Sequence, residues 1–139
     1  MAEKQYPEPT VGALIFNKKG KVFLMKSPKW GDRYIVPGGH VELKEKIADA
    51  LKREIKQETN LDIYDITLVG VQDCIFDEDF VEKKHFIFID FVCKTNYTEV
   101  KLNEEGIEYG WFSLKEVLDL PNLCEYTKNT IKKYISMCK

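Results

Sequence analysis

Glu54 and Glu58 stand four residues apart in the stretch LKREIKQETN, with Glu42 and Glu45 a short way upstream. Carboxylates grouped like this suit two kinds of chemistry. They can hold a hard divalent cation, which prefers oxygen ligands, or move a proton as general acid or base. From Lys46 to Thr59 the residues Ile47, Ala48, Leu51 and Ile55 recur at helical spacing, and Asn60 suits a helix end. Wound at about 100° per residue, such a helix sets Glu58 between Ile47 and Leu51. Glu54 borders the same apolar stripe, and Gln57 falls just outside it. Like charges at this spacing repel by roughly a few tenths of a kcal/mol on an exposed helix. Burying an unpaired carboxylate costs far more, and the group tends to neutralise instead. Three arrangements would relieve the pair: Arg53 as a partner, a bound cation, or a helix end that projects past its sheet.

Upstream lies Pro37-Gly38-Gly39-His40-Val41-Glu42. Two successive glycines let the backbone take φ > 0 and approach a neighbour closely. Between a strand and a helix they can aim a carbonyl at a cation or an amide at a phosphate oxygen. Alone, such a pair is more often a plain turn.

The elements that must position these residues can be read from the periodicity. Residues 1–9, with Pro7 and Pro9, read as a loose lead-in. The runs VGALIF (Val11 to Phe16) and VFLM (Val22 to Met25) flank Asn17-Lys18-Lys19-Gly20 and predict a β-hairpin. A polar loop, KSPKWGDRY, then leads into a short strand from Tyr34 to Val36. After the helix, strands are expected near Ile63 to Ile75 and His85 to Cys93. The second of these is nearly all apolar, as for a strand covered on both faces. Phe76 to Lys84 reads as an exposed charged connector that could serve as a lid. Trp111-Phe112 ends a further strand, Ser113 and Glu116 form a capping box for a short helix, and Tyr126 to Met137 forms the last one. The expected fold is α/β: a mixed β-sheet sandwiched between α-helices.

Bulk properties exclude several classes. A length of 139 residues with 44% hydrophobic and 32% charged residues suits one domain over residues 1–139. The formal net charge of −2 argues against binding a nucleic acid polymer by overall charge. No apolar run approaches the roughly 18 residues of a membrane span, and the start lacks a secretory signal. Cys74, Cys93, Cys124 and Cys138 show no CxxC spacing and read as reduced thiols of a cytoplasmic protein.

The stretch Gly39 to Leu61, GHVELKEKIADALKREIKQETNL, resembles the Nudix box G-x5-E-x7-R-E-U-x-E-E-x-G-U, with U aliphatic. Gly39, Glu45, Arg53, Glu54, Ile55, Glu58 and Leu61 match. Gln57 replaces the first paired Glu and Asn60 replaces Gly. Asn tolerates the left-handed conformation, so the second change keeps the turn. The first removes a charge that would draw in further metal ions. The resemblance extends to the MutT-like order of hairpin, sheet and C-terminal helix.

That resemblance implies a Mg²⁺- or Mn²⁺-dependent pyrophosphohydrolase acting on a nucleoside diphosphate linked to another moiety, X. The substrate would be a small nucleotide, either a nucleoside triphosphate or a nucleotide sugar such as ADP-ribose. Glu54 and Glu58 would be the main side-chain ligands, joined by the Gly38 carbonyl and, weakly, Gln57. Glu54 would also deprotonate the attacking water. Arg53 would orient a box carboxylate, and Glu45 would support the metal or partner Arg53. A further Glu before Trp111 is implied: Glu105, with Glu104 as the alternative, each equally readable as part of a solvated acidic turn. Trp30, Arg33 and Tyr34, beside Gly39, could stack on a base or grip a phosphate; as packed aromatics and a solvated Arg they read equally well. Relatives are often homodimers, but the residues do not address assembly. A nucleotide sensor that keeps the fold and loses the chemistry is the competing class. Such sensors usually carry an extra domain, for which 139 residues leave no space.

Overall fold

The apolar run VGALIF lies within the first strand, β1 (Glu8–Phe16), where six consecutive residues from Thr10 to Ile15 are buried. The structure, a computed structural model, describes residues 4–139. Residues 1–3 of the expected lead-in lie outside the described residues, and its last two, Glu8 and Pro9, belong to the strand. Glu8 and Pro9 already pair with Phe86 and Ile87 of the parallel strand β6 (His85–Thr95), and that pairing continues to Phe16 and Lys94. On its other edge β1 meets two antiparallel strands. β4 (Gly38–His40) pairs with Thr10 to Gly12, while β2 (Val22–Lys26) joins only at Phe16 and Val22.

The expected hairpin thus exists at its turn and then opens. Asn17 accepts from the Lys19 and Lys21 amides through its side chain, and Gly20 takes φ 73°. Beyond that turn β2 leaves β1 to pair with β3 (Tyr34–Ile35) and β7 (Glu108–Phe112). A 13-residue strand, β5 (Ile63–Ile75), completes the sheet against β6, with register shifts near Tyr64 and Leu68.

Alternation along the strands divides the core. Val11, Ala13 and Ile15 face helix α1 (Ile47–Thr59), packing with Leu51, Ile55, Phe23 and Met25. Leu14, Val22 and Leu24 face α2 (Leu114–Leu118) and α3 (Glu125–Met137), meeting Val117 and Ile131. The sheet is sandwiched between helices, as expected. Ser113 and Glu116 form the predicted capping box at α2.

Helix α1 departs from its predicted stripe. Ile47 is 43% exposed and Ala48 is also exposed; the buried face is Ala50, Leu51, Ile55, Glu58 and Thr59. The first turn projects beyond the sheet, so burial begins one turn later. Asn60 ends the helix at φ 65°, its N–H donating to the Lys56 carbonyl, in the left-handed turn expected of it.

Candidate active site

The two glycines upstream of α1 are required by contact rather than by a left-handed backbone. Neither has positive φ, and both lie in strand β4 rather than in a loop. A Cβ at Gly38 would stand 1.9 Å from the Val11 carbonyl oxygen. One at Gly39 would stand 2.4 Å from Cδ and Oε2 of Glu54. Pairing β4 to β1 thus demands the first glycine, and the Glu54 carboxylate occupies the space that a side chain at the second would fill.

Arg53 ties this junction together. Its Nε and Nη2 donate to the two carboxylate oxygens of Glu45 at 2.7 and 2.9 Å, a bidentate pair. Nη1 donates to Glu54 Oε1 at 2.8 Å, and Nη2 also reaches the His40 carbonyl at 3.0 Å. The guanidinium holds the Glu45 carboxyl well below the usual range, at about 2, helped by the Glu42 amide. Arg53 therefore orients Glu54, and Glu45 engages Arg53.

Glu58 lies deeper. It is 5% exposed, and Oε1 accepts a 2.9 Å hydrogen bond from the Gly38 N–H. Burial pushes its carboxyl up to about 8; the Gly38 amide opposes this, while the charges of Glu54 and Glu105 add to it. Glu105 accordingly faces the site, held by Lys29 Nζ at 3.2 Å, whereas Glu104 is exposed. The Asn103 N–H donates to the Glu58 carbonyl and the Asn103 side chain accepts from the Glu105 amide, which binds this loop to the helix end. Gln57 is exposed, and its Oε1 accepts from Arg53 Nη1 at 3.3 Å.

These donors suit a hard cation. The charges of Glu54 and Glu105 both act on Glu58, and a buried carboxyl such as this gains most from a nearby positive charge. The three carboxylates do not form a ready cage: among the described residues, no three His, Cys, Asp or Glu side chains stand close enough to hold an ion.

One cavity is lined by Gly38, Gly39, Glu58 and Glu105 together with the aromatic side chains of Trp30, Phe80, Phe86, Phe88 and Tyr126. Trp30 lines it, 8% exposed, with its ring 4.9 Å from that of Phe80 in the connector between β5 and β6. That connector is exposed over much of its length, yet Phe80 packs inward on Trp30 and Phe86. Arg33 is instead paired with Asp79 at 3.1 Å, and Tyr34 packs edge-on against Phe112 beneath Lys26; neither lines the cavity. For Tyr34 the packed-aromatic reading fits, because pairing in β3 turns it into the α2–α3 side of the core.

Two charged residues of the cavity escaped the sequence reading. Lys29 gave no signal beyond its place in a polar loop. Asp90 did: it is the one charged residue in the apolar run HFIFIDFVC, and it is 7% exposed.

The four cysteines are all free thiols: Cys74, Cys93 and Cys124 are buried, and burial pushes Cys93 up to about 12. Among the described residues, no helix is long and apolar enough to cross a membrane.

A family model, the NUDIX domain, matches residues 6–134. An 8-oxo-dGDP phosphatase of Danio rerio, NUDT18, is 32% identical over 114 residues, covering 79% of this chain but only 33% of that protein. An ADP-ribose pyrophosphatase of Methanocaldococcus jannaschii is 31% identical over 123 residues, covering 87% of this chain and 69% of the other. A MutT protein of Methanosarcina mazei superposes with a TM-score of 0.81 at 26% identity, covering 99% of both chains. With its box residues gathered at one strand edge and its sheet matched over its full length, this chain belongs to the Nudix family.

Proposed function

We propose that the protein is a divalent-metal-dependent pyrophosphohydrolase that cleaves a nucleoside diphosphate linked to X into a nucleoside monophosphate and phosphate-X. The observation that carries this reading is the gathering of Glu54, Glu58 and Glu105 about Gly38–Gly39 beside an aromatic cavity. Aromatic walls suit a flat base, and the glutamates beside Gly38–Gly39 suit a metal-neutralised diphosphate. Mg²⁺ or Mn²⁺, held by Glu54, Glu58, Glu105 and the Gly38 carbonyl, would neutralise the diphosphate and acidify a water.

The chain's own groups do the rest. Glu54 takes the proton of the attacking water through Oε2, because Oε1 is held by Arg53. Arg53 keeps that carboxylate aimed and charged. Lys29, beside Glu105 on the cavity wall, is placed to meet the negative charge of a bound phosphate. Trp30 and Phe80 wall the base end. The relatives' substrates, an 8-oxo-dGDP and an ADP-ribose, mark two classes to test: nucleotides cleaved beside their own phosphates, and nucleotide sugars.

A panel of nucleoside di- and triphosphates and nucleotide sugars, each with Mg²⁺ or Mn²⁺, tests the reading against Glu54→Gln. Metal-dependent turnover that falls by about 10²-fold or more in the variant is expected, the size typical of a lost general base. No turnover on any diphosphate-containing compound would refute the enzyme and favour a nucleotide-binding protein that has lost its chemistry. Turnover undiminished in Glu54→Gln would keep the enzyme and remove Glu54 from its assigned role.

A further inference from the structure

Asp90, on β6, lines the same cavity two residues along the strand from Phe88. This carboxyl is 7% exposed, and the partner that holds it is neutral: Gln72 Nε2 donates to Oδ2 at 2.9 Å. Gln72 is itself fixed by α3. Its Oε1 accepts from Asn129 Nδ2 at 3.1 Å, and its amide reaches the Tyr126 carbonyl and the Thr130 hydroxyl, each at 3.0 Å. Burial raises the Asp90 pKa, opposed by hydrogen bonds from Gln72 and Thr130.

A strand between two others gains nothing from such a group. Replacing a buried polar pair with apolar side chains of the same shape is often neutral or stabilising. The neutral clamp does something else: it orients a desolvated carboxylate without cancelling its charge. Flat rings surround it. Phe88 lies 5.5 Å from Phe86 and 5.1 Å from Tyr126, and Trp30 lies 6.0 Å from Tyr126. Aromatic walls accept a planar heterocycle by stacking. A carboxylate beside those walls offers acceptors only.

We infer that the aromatic side of the cavity is a nucleobase subsite in which Asp90, held by Gln72, selects a base that presents adjacent N–H donors. Among the ordinary bases this is guanine, whose ring N–H and amino group lie side by side. Adenine and cytosine place an acceptor nitrogen beside their amino group, and uracil flanks its one N–H with carbonyl oxygens. Each of those sets an oxygen or ring nitrogen against the carboxylate, and a site built to pair donors penalises such a mismatch heavily. The inference rests on the pyrophosphohydrolase reading for the orientation of the nucleotide, phosphates toward Glu58 and base toward Asp90.

Binding separates the two readings because it needs no turnover. Calorimetric titration of the wild-type protein with GMP, AMP, CMP and UMP should give GMP as the tightest ligand, by about tenfold over UMP. Asp90→Asn should weaken GMP by about tenfold while UMP changes less than about twofold, and the same split should appear in KM rather than kcat for the triphosphates. Equal binding of all four monophosphates by the wild type would overturn the subsite, whether or not the variant folds. Uniform weakening of all four by Asp90→Asn would overturn it too, leaving Asp90 a structural tie between β6 and α3. A guanine preference in a protein that hydrolyses nothing would sustain the subsite and sink the catalytic reading.

Discussion

Glu54 is trapped between a backbone and a guanidinium. A Cβ at Gly39 would stand 2.4 Å from its Cδ and Oε2, and Arg53 Nη1 grips Oε1 from the other side at 2.8 Å. The carboxylate has little freedom to turn without losing one of these neighbours. Such confinement is what a proton-abstracting group needs, since misplacement by about 1 Å can cost about a hundredfold in rate.

Gly39→Ala should therefore separate activity from stability. The added methyl displaces the end of a side chain, which can move, so the melting temperature should change little while turnover falls by about tenfold to a hundredfold. Gly38→Ala meets the Val11 carbonyl at 1.9 Å instead, and backbone cannot move aside. It should unpair β4 from β1 and lower stability by about 2 kcal/mol or more, seen as a drop in denaturation midpoint. Equal stability losses in the two variants would contradict this account.

Arg53→Lys keeps the charge but loses the fork that spans Glu45, Glu54 and His40. Turnover should fall by about tenfold or more, with a smaller change in KM. The acid limb of stability reports the same contact. The Glu45 carboxyl is depressed from 4.5 to about 2, so its stabilising effect is present above the unfolded value and fades as pH falls toward 2. Thermal scans of wild type and Glu45→Gln should differ near neutral pH and converge as the medium becomes strongly acidic.

Glu58 titrates in the opposite sense. Its folded value, about 8, lies above its unfolded value of 4.5, so the folded state binds the extra proton between these limits. Stability should then decline as pH rises from about 4.5 through about 8, and Glu58→Gln should flatten that slope. A divalent cation that binds the ionised carboxylate should restore what is lost. The rise in melting temperature on adding Mg²⁺ should accordingly be small near about pH 6 and largest above about pH 8. A metal shift independent of pH would place the ion elsewhere.

Much of this site could be read from the chain because it is local. Gly39, Glu45, Arg53, Glu54 and Glu58 fall within one strand–helix unit, where spacing alone fixes which side chains can meet. The turn at Asn17–Gly20, the left-handed Asn60 and the Ser113 capping box are local too. What spacing could not give depends on distant pairing. The hairpin opens because β2 finds β3 and β7, and Tyr34 is drawn into the core by that pairing. Lys29 meets Glu105 across 76 positions of sequence. Ile47 misled the helical wheel because periodicity shows which residues share a face but not where the sheet beneath it ends. Asp90 was visible as a lone charge in an apolar strand, but only the structure shows that it borders a cavity.

Gln57 is the box position where charge is missing, and its placement shows what a glutamate would do there. Its Oε1 already accepts from Arg53 Nη1 at 3.3 Å, on the exposed side of the helix and one turn from Glu54. Gln57→Glu would add a negative charge at nearly unchanged shape, next to an arginine already shared by Glu45 and Glu54. Two effects compete. Stronger pairing with Arg53 would loosen its grip on Glu54, whereas added negative charge would draw a divalent cation closer. The pair with Arg53 is solvent-exposed and worth at most about 1 kcal/mol, while a divalent ion feels each added carboxylate twice over. The second effect should prevail. The Mg²⁺ concentration giving half-maximal turnover should fall by about threefold to tenfold, with kcat unchanged or raised. A higher metal requirement in Gln57→Glu would show that holding Glu54, rather than gathering charge, limits this site.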